Sequence, residues 1–160
     1  MANRILISVQ EDISVPEWFS EEKIKNYVEK VLEELKFDGE EISILFCDDA
    51  EIQNLNKSYR NIDSPTDILS FENGSEYEDD EGKWLEAGDI AISFETLPKN
   101  AEYFKVSENE ELKRLLIHGC LHLNGYDHGE EHIESGVEPK DEMLCIQENA
   151  LKKFSSVNLM

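Results

Sequence analysis

The sequence predicts an α+β fold in which a mixed four-stranded β-sheet packs with about five helices. Short apolar, β-branched runs alternate along the chain with longer segments that have helical periodicity. The predicted order, β-α-β-α-β-β-α-α-α, contains both a hairpin and crossover connections, and this combination requires parallel and antiparallel strand pairs. The chain has 160 residues, 39% of them hydrophobic, so residues 1–160 are expected to form one domain around one core.

The strands are predicted at apolar runs, and the helices at segments whose apolar residues recur on one face. The predicted strands span residues 5–9, 42–47, 67–71 and 87–93. The predicted helices span residues 20–36, about 49–59, 94–103, 107–123 and 139–154. An acidic, glycine-containing insertion at residues 72–83 separates the last two strands and is expected to form a solvated hairpin or a mobile loop.

Local signals mark the ends of several helices. Gly39 is available for a left-handed turn after the first helix, and Asp48 or Asp49 can cap the second. The S-x-x-E sequence at residues 107–110 is a capping box, in which serine and glutamate satisfy backbone N–H groups of the first turn. Gly125 is expected to stop the helix that this box begins.

The net charge of −22, from 15 basic and 37 acidic residues, repels polyanions. It argues against a nucleic-acid partner unless basic groups concentrate in one cleft. No apolar run approaches the roughly 18 residues of a membrane span, and residues 1–10 resemble neither a secretory signal nor a transit peptide, so a cytoplasmic protein is expected. Cys47, Cys120 and Cys145 are widely spaced in apolar surroundings, which is typical of reduced thiols in a core.

Three of the four histidines lie in the sequence H-G-C-L-H-L-N-G-Y-D-H at residues 118–128. His118 and His122 are four residues apart on a predicted helix, so their rings project from the same face and can chelate one ion. Gly125 allows the chain to reverse, so that His128 can return as a third ligand, as in the metzincin pattern. A fourth position is then left for water or substrate, and three neutral imidazoles favour one Zn²⁺ per chain.

Other interpretations of this segment remain open. The two helical histidines could be hydrogen-bonded core residues, with His128 in a loop. His132 could replace or supplement a ligand. Cys120 is expected in the core, because two residues along a helix rotate a side chain by about 200°. Met143 could form the floor of the site, although a helical methionine ordinarily packs in a core.

The position directly after the first histidine is Gly119. Metalloproteases of the H-E-x-x-H kind carry their general-base glutamate at this position. Peptide hydrolysis by that route is therefore disfavoured, and a reaction that needs less from a protein carboxylate is favoured.

Two further segments accompany the histidines: L-N-K-S-Y-R-N-I-D-S-P-T-D-I-L-S-F at residues 55–71 and G-D-I-A-I at residues 88–92. Together the three segments resemble the YbeY family of bacterial endoribonucleases and rRNA maturation factors. The resemblance covers nearly the whole chain. The main departure is the acidic insertion around residues 76–81, which bears on surface contacts rather than on the metal.

The resemblance implies that His118, His122 and His128 bind zinc and that Arg60 and His118 act in catalysis. It implies a metal-dependent endoribonuclease, a hydrolase, that cuts single-stranded rRNA. It also implies roles in maturing the 3′ end of 16S rRNA and in ribosome assembly and quality control. The expected partners are single-stranded rRNA and the small ribosomal subunit or its proteins, with neither DNA nor a membrane.

Arg60 suits such a reaction because a guanidinium can hold a phosphate bidentately and stabilise charge on its oxygens. Its alternative is a surface ion pair. Asp127, beside His128, is a candidate to take the nucleophile's proton; its alternatives are support of a ligand or a turn cap. Lys57, together with Lys and Arg at residues 113–114, could line the cleft with positive charge.

Two other functions remain open from the sequence. The first is a zinc hydrolase of a peptide or amide, which cleavage of protein substrates would favour. The second is a ribosome-assembly binding protein whose metal is structural. Ribosome binding that survives the loss of zinc-dependent cleavage, or a fourth ligand from the protein, would favour the second.

Overall fold

The computed structural model describes residues 2–126 and 141–160, which fold into four strands and five helices. The strands are β1 (Arg4–Val9), β2 (Glu40–Cys47), β3 (Ile68–Asp79) and β4 (Gly82–Ser93). The helices are α1 (Glu21–Glu34), α2 (Asp49–Arg60), α3 (Thr96–Phe104), α4 (Glu108–Leu123) and α5 (Glu142–Lys153). The predicted α+β class and element order are confirmed. None of the helices in these two ranges has the length and apolar character that crossing a membrane requires.

The four strands form one mixed sheet in the order β1-β2-β4-β3. β1 pairs with β2 and β2 with β4 in parallel, which the crossover helices allow. β3 and β4 form an antiparallel hairpin, so β3 lies at the edge of the sheet. This edge borders the candidate site described below.

The acidic insertion is a hairpin rather than a loop, and it lengthens both strands beyond their predicted ends. β3 and β4 pair as far as the residue pair Asp79 and Gly82. The Arg4 guanidinium lies 4.0 Å from the ring centroid of Trp84, and its Nη1 atom is 2.7 Å from a carboxylate oxygen of Asp79. Its Nη1 atom also donates to the hydroxyl of Tyr77. These contacts tie the hairpin to β1, and sequence periodicity missed them because they join residues more than 70 positions apart.

Most helix ends agree with the predicted caps. The side chains of Asp48 and Ser107 accept hydrogen bonds from the backbone N–H groups of Glu51 and Glu110, and Gly125 has the expected positive φ of 87°. The first helix ends before its predicted limit, because Lys36 adopts the left-handed conformation three residues before Gly39. The predicted first turn of α5, from residue 139, lies outside the described residues.

The sheet separates two groups of buried side chains. The larger one packs between the sheet and α1, α3, α4 and α5, and alternate residues of β2 point into it: Ile42, Ile44 and Phe46. The smaller one lies under α2, where Ile52 packs with Leu69 and Ala91. Both faces of the central strands are therefore covered, and the edge strand β3 separates α2 from α4.

Gly88 allows β3 and β4 to pair closely. Its φ is +148°, and a Cβ atom built there would lie 2.1 Å from the carbonyl oxygen of Phe71 and 2.8 Å from Leu123 Cδ2. Both contacts are far shorter than van der Waals separations. A side chain at this position would therefore push β3 and the end of α4 away from β4.

We predict that Gly88→Ala lowers the free energy of unfolding by about 3 kcal/mol or more, because it adds a backbone clash to an unfavourable φ. Urea unfolding followed by circular dichroism measures this loss. Gly74→Ala is the matched control, because Gly74 also has a positive φ, of 91°, but its Cβ would meet nothing within 4 Å. Equal losses in both variants would contradict the importance of the clash.

Candidate metal centre and substrate cleft

Close packing of α4 on the sheet places its histidines beside β3. A Cβ atom built on Gly119 would approach Ile90 Cδ1 to 2.7 Å and Ile68 Cδ1 to 3.2 Å. The absence of a side chain therefore allows the helix backbone to lie against the sheet. It also follows that a side chain at position 119 would point into the sheet, away from the histidines.

His118 and His122 meet on the face of α4 that borders the sheet edge. Their Nε2 atoms are 3.0 Å apart, and their ring centroids are 4.5 Å apart with the planes at 77°. Both side chains are partly buried. The structure thus brings together two of the three predicted ligands, as their i, i+4 spacing predicts.

Hydrogen bonds assign the tautomers of both rings. Gln147 Oε1 lies 2.7 Å from His118 Nδ1, and the amide orientation follows from its Nε2 group, which donates to Glu148 Oε2. His122 Nδ1 lies 3.0 Å from the carbonyl oxygen of Tyr126, which can only accept. Both Nδ1 atoms therefore carry the proton, and in the neutral rings both Nε2 atoms carry lone pairs.

This donor set fits a transition-metal ion. Two lone pairs 3.0 Å apart repel each other unless a cation or a proton is shared between them. Two nitrogens bound to one tetrahedral Zn²⁺ at about 2.0–2.1 Å are separated by about 3.3 Å, which is close to the separation observed. Donation from the other ring nitrogen to a fixed acceptor is also the usual arrangement of metal-binding histidines.

The histidine pair opens into a cleft of about 480 Å³ at the edge of the sheet. The cleft lies between α4, β3 and the end of α2. Its described lining comprises Arg60, Ile68, Leu69, Ser70, Glu72, His118, His122, Gly125 and Tyr126. A space of this volume is within the range of small-molecule and cofactor pockets.

Arg60, the last residue of α2, reaches this cleft from the side opposite α4. Its Nη2 group donates to the carbonyl oxygen of Ser70 on the edge strand, and its guanidinium carbon is 5.5 Å from the ring centroid of Phe71. Asn61, in the left-handed conformation, ends the helix directly after it. A guanidinium has five N–H donors, so the bond to Ser70 orients the group and leaves donors for a phosphate.

The chain is similar to a family of known proteins over most of its length. A family model described as Endoribonuclease YbeY matches residues 6–155. The chain belongs to the YbeY family. The resemblance of residues 55–71, 88–92 and 118–128 is thereby confirmed.

Individual relatives match over almost their whole length. A protein named Endoribonuclease YbeY from Treponema denticola is 47% identical over 160 residues, which is 99% of this chain and 98% of the relative. One of the same name from Aquifex aeolicus is 36% identical and covers 96% of this chain and 93% of the relative. The solution structure of a Thermotoga maritima protein matches with a TM-score of 0.58 at 27% identity, over 96% of this chain and 90% of the other.

Several residues predicted for the site lie outside the described residues: Asp127, His128 and the alternative ligand His132. Within residues 2–126 and 141–160, no group of three or more His, Cys, Asp or Glu side chains is placed to hold an ion. The third ligand and the proton acceptor therefore stay predictions in this member of the YbeY family.

Two residues near the histidines in sequence pack in the core. Cys120 is fully buried, and this burial raises the pKa of its thiol to about 12, so it stays protonated and is a poor ligand. Met143 is buried in the larger core group. Both agree with the packing interpretation of these residues.

The predicted basic lining from residues 113–114 is wrong. Lys113 is buried, and its Nζ group donates to the carbonyl oxygens of Phe154 and Val157, just after α5. Arg114 forms a two-pronged ion pair with Glu148. Both cations therefore bind groups within the protein. The partners of Lys113 lie more than 40 residues away in sequence and gave no local signal, whereas Arg114 also pairs with Glu110 and Glu111 on its own helix.

Sequence reasoning missed Gln147, which joins the histidines to a buried polar network. Gln147 is 1% exposed and connects His118 to Glu148, and Glu148 holds Arg114. The Nη1 atom of Arg114 lies 3.5 Å from Glu111, which is 2% exposed. The signal available in the sequence was a glutamine among the apolar positions of the last helix, Met143, Leu144, Ala150 and Leu151.

Glu111 gives this network a pH dependence. Burial raises the pKa of its carboxyl to about 7; Arg114 opposes this shift, and the negative charges of Asp67 and Glu110 add to it. Between pH 4.5 and pH 7 the folded protein therefore holds a proton that the unfolded chain releases. The binding of this proton by Glu111 contributes stability that is complete below about pH 4.5 and is lost as the pH rises through 7.

We predict that Glu111→Gln raises the free energy of unfolding relative to the wild-type protein at pH 8, by about 1–3 kcal/mol, and has little effect at pH 4.5. Urea unfolding at a series of pH values measures the difference. Glu108→Gln, in the exposed first turn of the same helix, serves as the control and should keep the wild-type pH profile. A Glu111→Gln variant that is destabilised equally at all pH values would contradict this explanation.

Proposed function

We propose that the chain is a zinc-dependent endoribonuclease that cuts single-stranded RNA and matures the 3′ end of 16S rRNA during ribosome assembly and quality control. The observation that supports this most strongly is that the histidine pair and Arg60 line one cleft, in a member of the family described as Endoribonuclease YbeY. Residues 1–160 act as one cytoplasmic hydrolase domain. One Zn²⁺ per chain is held by His118, His122 and His128.

The chemistry is divided between the ion and the side chains around it. A bound Zn²⁺ supplies Lewis acidity for a reaction at phosphorus. Gln147 and the Tyr126 carbonyl keep His118 and His122 in the tautomer that presents Nε2 to the ion. Asp127 is proposed to take the nucleophile's proton.

Arg60 binds the scissile phosphate. It lines the same cleft as the histidines, and its bond to Ser70 orients the guanidinium in the absence of substrate. Donors that are already oriented stabilise negative charge as it develops on the phosphoryl oxygens, without reorganisation during the reaction. A lysine lacks the planar, two-pronged geometry and would replace this function poorly.

A single RNA strand suits this cleft better than a duplex. A recess of about 480 Å³ admits a nucleotide that is splayed out of a strand, and unpaired RNA offers such nucleotides readily. Because the net charge is −22, diffuse attraction cannot gather RNA onto the surface. Docking to the small ribosomal subunit or one of its proteins is therefore proposed to deliver the rRNA.

A peptide or amide substrate is less well supported. The residue after His118 is Gly119, and a side chain there would meet Ile90 rather than the cleft. The sequence therefore lacks the glutamate that H-E-x-x-H peptidases use as a base. A side chain at this position would also point at the sheet, where it could not reach a substrate.

We predict that His122→Ala loses both the bound metal and RNA cleavage. We predict that Arg60→Ala keeps the metal but lowers kcat by about 10²–10³-fold, the usual effect of removing one donor to a developing anion. Elemental analysis of purified protein and cleavage of a fluorescent single-stranded oligonucleotide measure the two effects.

Lys25→Ala is the control for loss of a cation, because Lys25 pairs with Glu21 on α1, away from the cleft-lining residues that the structure describes. It should cleave at the wild-type rate. Unchanged cleavage by His122→Ala would show that a contaminating nuclease is responsible. Ribosome binding by a wild-type protein that retains zinc but cleaves no RNA would instead favour a binding protein with a structural metal.

A further inference from the structure

Tyr59 exposes an aromatic ring directly beside Arg60. We propose that Tyr59, supported by Phe71, is a stacking site for one unpaired base of the RNA strand, next to the phosphate that Arg60 binds. This inference rests on the proposed function and adds a substrate contact beside the same cleft. The ligand is an unpaired nucleobase, whatever its sequence.

The position of the ring follows from the end of α2. Tyr59 precedes Arg60 in the last turn, and its ring centroid is 5.3 Å from that of Phe71, with the planes at 61°. The Arg60 guanidinium carbon lies 5.5 Å from the same Phe71 ring. Phe71 therefore lies beside both residues, and the Tyr59 ring is next to the group that is proposed to bind the phosphate.

Packing within the fold uses only part of the Tyr59 side chain. Tyr59 is 68% exposed, whereas Phe71 is partly buried against the small core under α2. Phe71 therefore fixes one edge of the platform, and most of the Tyr59 ring stays in water. A base that stacks on it would remove apolar surface that the folded chain leaves exposed.

The charge of the chain makes stacking a suitable source of affinity. Proteins that bind single strands usually combine a basic groove with aromatic rings on which bases stack. Among the described residues that line this cleft, Arg60 is the only lysine or arginine, and Glu72 is acidic. Stacking on an uncharged ring is independent of phosphate neutralisation, so it can hold RNA on a strongly acidic protein.

A second exposed tyrosine supplies a matched control. Tyr103 on α3 is 79% exposed and contacts Phe104, with ring centroids 5.0 Å apart. Its exposure and its aromatic neighbour thus resemble those of Tyr59. Arg60, the chain neighbour of Tyr59, is among the described residues that line the cleft, whereas no residue of α3 is.

The test measures KM and kcat for a fluorescent single-stranded oligonucleotide. We expect Tyr59→Leu to raise KM about 10-fold or more, because a stacked base contributes about 1–3 kcal/mol and 1.4 kcal/mol corresponds to a factor of ten. Tyr59→Phe should keep the wild-type KM, since it retains the ring, and so should Tyr103→Leu. Metal content should be unchanged in all three variants.

A set of oligonucleotides, each with one abasic nucleotide, identifies the stacked base. One abasic position should raise KM for the wild-type protein and have no further effect in Tyr59→Leu. Equal KM values for wild type, Tyr59→Leu and Tyr103→Leu would overturn the stacking site, as would additive effects at every abasic position.

Failure of the proposed function gives a different result. If the wild-type protein cuts no RNA, the nuclease assignment fails, and the stacking site is judged by quenching of 2-aminopurine fluorescence when the oligonucleotide binds. Loss of quenching in Tyr59→Leu, with retention in Tyr59→Phe and Tyr103→Leu, would support stacking. Equal quenching in all four proteins would overturn it.

Discussion

The two Nε2 atoms of His118 and His122 face each other at 3.0 Å, and both carry lone pairs because both Nδ1 atoms donate to fixed acceptors. Bringing two lone pairs together is unfavourable without a shared positive charge. A cation bound by both rings would remove this repulsion, which is why the pair is proposed as part of a metal site. The proposed chemistry of the cleft, including the role of Arg60, depends on this pair.

The sheet positions the pair through close backbone packing. Gly119 brings α4 against Ile68 and Ile90, and Gly88 lets β3 and β4 approach each other beside the end of α4. The edge strand then lies between two helices, so that α4 contributes the histidines and α2 contributes Arg60 from the opposite side. A site assembled at a sheet edge is accessible to a long, flexible substrate, and one assembled between covered strands is not.

The sequence predicted what depends on local spacing and failed where partners are distant. The i, i+4 histidines and the serine cap of the S-x-x-E sequence are encoded within one or two helical turns, and the structure has both. The Glu110 carboxylate lies 3.5 Å from the Arg114 guanidinium. Lys113 looked like a cleft cation because nothing nearby in sequence shows that its Nζ group binds carbonyls 41 and 44 residues later. Gln147 was missed for the same reason, since it lies 29 residues from His118. The hairpin was predicted only as one of two possibilities, because its contacts with β1 are also long-range.

Metal affinity, measured by competition with a chromophoric chelator, tests the central claim most directly. The wild-type protein should take up one Zn²⁺ per chain. Gln147→Leu should bind zinc about 10–100-fold more weakly while remaining folded, because His118 loses the acceptor that fixes its tautomer. A wild-type protein that binds no stoichiometric transition metal, or a Gln147→Leu variant with unchanged affinity, would contradict the account.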